Sequence, residues 1–89
     1  MLLNRSLEVK NRLGIHARVA AQLVQTANRF EARILLEFNG QAVDARSILG
    51  ILTLCCPMGS YLSVEADGPD AEEAMAAFER LFEEKFGED

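Results

Sequence analysis

Long apolar runs, distant cysteine pairs and an excess of positive charge are all missing from this chain, and each absence excludes something. No apolar run approaches the roughly 18 residues that cross a bilayer. The Met1-Leu2-Leu3 start also lacks the basic region and small-residue cleavage site of a signal peptide. A soluble, cytoplasmic protein without membrane insertion is therefore expected. The 2 cysteines, Cys55 and Cys56, are adjacent, which rules out a disulfide framework and points to a reducing compartment. With only 1 histidine and no second cysteine pair, no metal centre is expected, and the cysteines read as small, buried or partly buried apolar residues. The net charge of -5 argues against general nucleic-acid binding, which needs a cationic footprint. At 89 residues the chain is too short for a multidomain enzyme, but 49% hydrophobic residues suffice for one core, so one domain over residues 1–89 is expected.

The charge is unevenly spread. Residues 1–46 sum to +3 and residues 47–89 to -8, so one end of the chain could present a cationic surface. No repeat, low-complexity tract or linker interrupts the pattern. Ser6 to Val9 reads as a first strand. From Ala17 to Phe30 the apolar residues recur at three-and-four spacing, predicting an amphipathic helix with His16 just before its first turn. Ile34, Leu36 and Phe38 alternate as a second strand, and Asn39-Gly40 supplies a tight hairpin into a third, Gln41 to Asp44. Ser47 to Leu54 reads as a short helix capped by Ser47, and Leu62, Val64 and Ala66 as a fourth strand. The last helix is expected to open on an Asp70 and Glu73 capping box and to run to Gly87, with Phe86 fraying and Glu88-Asp89 part of a solvated acidic end. The expected fold class is α+β, in the order β-α-β-β-α-β-α, with a four-stranded antiparallel sheet and three helices on one face.

His16 sits where a glycine-containing loop meets a helix start. Unpaired N–H groups and the positive end of the helix dipole favour an anion there and disfavour a protonated imidazole. A neutral imidazole in that place is a competent nucleophile near neutral pH, and Arg18 could add a charge-assisted hydrogen bond to a phosphoryl product. On spacing alone, an incidental capping or surface histidine is the plainer reading. The second unusual feature is the Ser47 helix. Ile48, Leu49, Ile51, Leu52 and Leu54 are more apolar residues than one stripe of two turns can bury, so some should face water beside Arg46 as a protein-docking patch. A helix wedged deeper into the core remains open as the alternative.

Gly14-Ile15-His16-Ala17-Arg18 with Ala20-Ala21, then Asn39-Gly40 and Ala45-Arg46-Ser47-Ile48-Leu49-Gly50, together resemble HPr. HPr is the histidine-containing phosphocarrier family of the bacterial phosphoenolpyruvate-dependent sugar phosphotransferase system. The likeness runs along essentially the whole chain and implies an HPr-like open-faced β-sandwich. It implies that His16 accepts a phosphoryl group on Nδ1 from phosphorylated enzyme I and passes it to IIA proteins or domains, with Arg18 contacting the phosphate. It further implies that Ile48, Leu49, Leu52 and Arg46 form the docking surface. Ser47 matches the serine that takes an ATP-derived phosphate in bacteria with an HPr kinase/phosphorylase. The implied protein is a monomeric carrier without cofactors and not itself an enzyme. The alternative within the fold is a regulatory or nitrogen-branch (NPr-type) paralogue acting mainly through protein binding. Two positions depart from the family pattern: Val19 stands where proline is usual, and Cys55-Cys56-Pro57 replaces a commoner glycine- or alanine-rich turn.

Overall fold

A computed structural model describes residues 1–89. Four strands, β1 (Leu2–Glu8), β2 (Arg33–Phe38), β3 (Gln41–Asp44) and β4 (Tyr61–Asp67), form one antiparallel sheet in the order β1-β4-β2-β3. Period-two alternation turns Ile34 and Leu36 of β2 and Leu62, Val64 and Ala66 of β4 toward the helices, where all five are fully buried. The register places Leu36 opposite Val64 and Ile34 opposite Ala66, so these side chains form a continuous central strip. The helices α1 (Ala17–Ala27), α2 (Ile48–Thr53) and α3 (Ala71–Glu83) cover that face, bringing Val19, Leu23, Ile51 and Phe78 onto the strip. The expected open-faced arrangement is thus the one the chain adopts.

Asn39 and Gly40 make the predicted hairpin, both at positive φ (54° and 79°). Several boundaries differ from the sequence reading. β1 begins at Leu2 rather than Ser6, because the long β4 offers partners back to Asp67. α1 stops at Ala27 rather than Phe30. Arg46 Nη2 donates to the carbonyls of Ala27 (2.9 Å) and Phe30 (2.7 Å), satisfying carbonyls just where the helix would otherwise continue.

Asp70 does not cap its own helix. Its carboxylate instead accepts from the backbone N–H groups of Glu31 (2.9 Å) and Ala32 (2.8 Å), fixing the entry to β2. The Glu31 and Ala32 bonds hold the Asp70 carboxyl below its ordinary pKa. α3 ends at Glu83, not Gly87, and Lys85 and Phe86 both take positive φ (55° and 56°). Phe86 does not fray. It is buried, edge-on to Phe82 with ring centroids 4.8 Å apart, and that burial offsets the cost of the left-handed backbone.

Candidate functional site

The loop before α1 is built around Asn11 and Gly14. Gly14 has φ +71°, and its N–H donates to the Asn11 carbonyl at 3.2 Å. Asn11 is fully buried, and its Nδ2 donates to the Gly14 carbonyl at 2.7 Å. The next residue, Ile15, donates its N–H to the carbonyl of Cys56 at 2.9 Å. Cys56 is buried, and desolvation pushes its thiol up to about 11, so it stays a neutral packing group. Cys55 is exposed, against expectation, because its positive φ (54°) turns it out of the core.

This frame sets His16 at the N-cap of α1. Its Nδ1 accepts from the Arg18 N–H at 3.3 Å, and its Nε2 lies 2.9 and 3.1 Å from the two oxygens of Glu88. A carboxylate only accepts, so Nε2 carries the proton and Nδ1 keeps its lone pair. The lone pair faces the start of α1, where the backbone N–H of Val19 has no partner within the chain. Beside it is a cleft of about 270 Å³ lined by Arg12, Leu13, Arg18, Glu88 and Asp89. Two guanidinium groups therefore border the site. His16 adjoins this cleft through its bonds to Arg18 and Glu88, whereas a larger cleft of about 460 Å³ between β1 and α3, lined by residues that include Lys10, Tyr61 and Glu83, includes neither of those partners.

Ser47 caps α2 as expected, its Oγ accepting from the Gly50 N–H at 3.0 Å. On this helix Leu49 is 78% and Ile48 41% exposed, Leu52 is half-buried against the core, and Ile51 is fully buried. Arg46 is half-buried, with Nη2 committed to the carbonyls after α1. Leu13 (74% exposed) and Met58 (56%) extend the apolar surface, since Gly14 packs directly against Cys56 and Pro57 after α2. Sequence reasoning missed Leu13, Met58, Arg12 and Glu88. The first two stand singly among turn residues, and the acid is 72 residues from its imidazole partner.

A family model described as the PTS HPr component phosphorylation site matches residues 3–84. The chain belongs to the HPr family. It is 42% identical over 87 residues to the phosphocarrier protein HPr of Cupriavidus necator, covering 98% of each chain. It is 38% identical over 84 residues to the HPr-like protein Crh of Halalkalibacterium halodurans, covering 94% of this chain and 100% of that one. The crystal structure of HPr-C-His from Thermoanaerobacter tengcongensis superposes with a TM-score of 0.93 at 42% identity, covering 98% of both chains. HPr proteins are phosphocarriers of the phosphotransferase system, and no helix of this one is long and apolar enough to cross a membrane.

Proposed function

We propose that the chain is a phosphoryl relay in which His16 Nδ1 takes a phosphoryl group from phosphorylated enzyme I and delivers it to IIA proteins or domains. The observation that carries this reading is the unprotonated Nδ1 at the start of α1, next to a cleft flanked by Arg12 and Arg18. A phosphoryl group on that nitrogen meets backbone N–H groups, the positive end of the helix and the Arg18 guanidinium. The hold is loose, without a closed cage, which suits a carrier that must release as readily as it accepts. Most of the catalytic apparatus belongs to the partners, and the chain itself turns over no small molecule. The exposed Ile48 and Leu49, with Leu52 at their base, form the docking patch, and Arg46 braces its edge. The protein works as a cytoplasmic monomer without a cofactor.

Ser47 is the candidate regulatory site for an HPr kinase/phosphorylase. Its hydroxyl is exposed at a helix start, and a dianion there would oppose an acidic partner surface. The likeness to Crh, whose solved structure is described as a catabolite repression HPr, favours a regulatory role as the second reading, and a nitrogen-branch paralogue stands beside it as the other alternative within the fold. The two readings part in one experiment. Phosphorylated chain is mixed with a sugar-specific IIA domain and, separately, with a nitrogen-branch IIA protein, and label transfer is followed. Fast transfer to the sugar IIA supports the relay, and transfer only to the nitrogen-branch protein replaces it.

A further inference from the structure

Glu88 stands apart from the acidic residues around it. Its side chain is 17% exposed, against 70% for Glu83 and 95% for Asp89, although the sequence reads as one solvated acidic end. The left-handed pair Lys85-Phe86 reverses the chain after α3 and sends it back toward the start of α1. The tail is pinned on both sides of Glu88. Before it, Phe86 is buried on Phe82 and its carbonyl accepts from Gln22 Nε2 at 3.1 Å. After it, the main-chain oxygen of Asp89 accepts from the Arg12 N–H. The carboxylate itself receives two donors, His16 Nε2 at 2.9 Å and the buried Asn11 Nδ2 at 2.9 Å. The same Asn11 amide ties the Gly14 turn, so carboxylate and imidazole are held in one frame. The family match ends at residue 84, so this carboxylate comes from a segment beyond it.

We propose that Glu88 is a positioning residue for phosphoryl transfer at His16, holding the imidazole proton on Nε2 in both the free and the phosphorylated state. The inference rests on His16 being the phosphoryl acceptor. When Nδ1 attacks, its lone pair forms the N–P bond while the donor's bond to phosphorus breaks and that electron pair leaves with the donor. No proton moves. The ring becomes cationic with its Nε2 proton in place, facing the Glu88 carboxylate. In the onward step the N–P electron pair returns to Nδ1, and a neutral imidazole departs from phosphorus. If the phosphorylated ring lost its Nε2 proton to water, the leaving group would be an imidazolate anion, a far poorer one. Glu88 thus keeps the phosphoryl group in its transferable form. The other charged groups bordering the site are Arg12 from the preceding loop, Arg18 from α1 and Asp89 from the tail. Residues 47–60, which include α2 and the Cys56 segment, carry no charge.

The test compares wild type, Glu88→Gln and Glu88→Ala, each ¹⁵N-labelled, before and after phosphorylation by enzyme I and phosphoenolpyruvate. Glutamine keeps shape and an acceptor but removes the charge. Wild type should show a hydrogen-bonded, slowly exchanging Nε2–H signal from His16 that is lost in Glu88→Ala. Hydrolysis of the phosphorylated ring should slow about tenfold at fixed pH in Glu88→Gln, moving the pH profile down by about one unit. Thermal melts of both variants confirm that they remain folded. The proposal is overturned if both variants keep the wild-type ring signal and hydrolysis profile. If wild type itself takes up no phosphate, the acceptor reading fails first and the proposal falls with it, a result recognisable because the variants play no part in it.

Discussion

Gly14 packs against the carbonyl oxygen of Cys56 so closely that any side chain at position 14 would collide with it. The same carbonyl accepts from Ile15, so the contact fastens the loop before His16 to the segment after α2. Gly14→Ala meets both this backbone clash and a φ of +71°. It should destabilise the fold by about 1–3 kcal/mol, read as a lowered midpoint in urea. A midpoint equal to wild type would show that the loop is not held there.

Leu49 and Ile51 lie two residues apart on α2 with opposite burial, 78% and 0% exposed. Leu49→Glu should change stability by less than about 0.5 kcal/mol while weakening association with enzyme I. Ile51→Glu should cost several kcal/mol, since its carboxylate would be buried without a partner. Calorimetry for stability and titration for binding separate the two effects. Equal melting losses in both variants would mean that α2 is core on every side.

For Asp70, the bonds from Glu31 and Ala32 set a pH dependence. A carboxyl held below its ordinary value stabilises the fold above that value and loses the contribution as pH falls through the lower, folded one. The stability gap between wild type and Asp70→Asn should therefore be full at neutral pH and should close as pH falls below about 3.8. Denaturation curves across that range check it, and a gap independent of pH would contradict the assignment.

Val19 has a backbone N–H with no partner in the chain, so proline there deletes no internal hydrogen bond. Val19→Pro should leave the fold equally stable or raise stability by about 0.4–1 kcal/mol through the unfolded chain. If that N–H meets the phosphoryl group, the phosphorylated variant should also hydrolyse faster, by less than tenfold. Equal lifetimes would remove Val19 from the phosphate's contacts.

The parts of this fold that follow local rules were legible in the sequence. The stripe of α1, the Asn39-Gly40 hairpin and the Ser47 cap depend on residues within one or two turns of each other. What escaped depends on distant partners. Asp70 looks like a helix cap but spends its oxygens on Glu31 and Ala32, and Arg46 spends its guanidinium on carbonyls past α1. Glu88 reaches His16 only because two residues other than glycine, Lys85 and Phe86, adopt a left-handed turn stabilised by burial of Phe86. No local preference announces such a turn, and its consequence is the partner of the site's only histidine.

The central claim is that a single imidazole nitrogen at the start of α1 carries the phosphoryl group. Intact mass after incubation with enzyme I and phosphoenolpyruvate tests it most directly, on wild type and on His16→Ala. Wild type should gain one phosphate that is lost in acid and kept in alkali, and His16→Ala should gain none. Phosphate of that kind on His16→Ala, or none on wild type, would contradict the account.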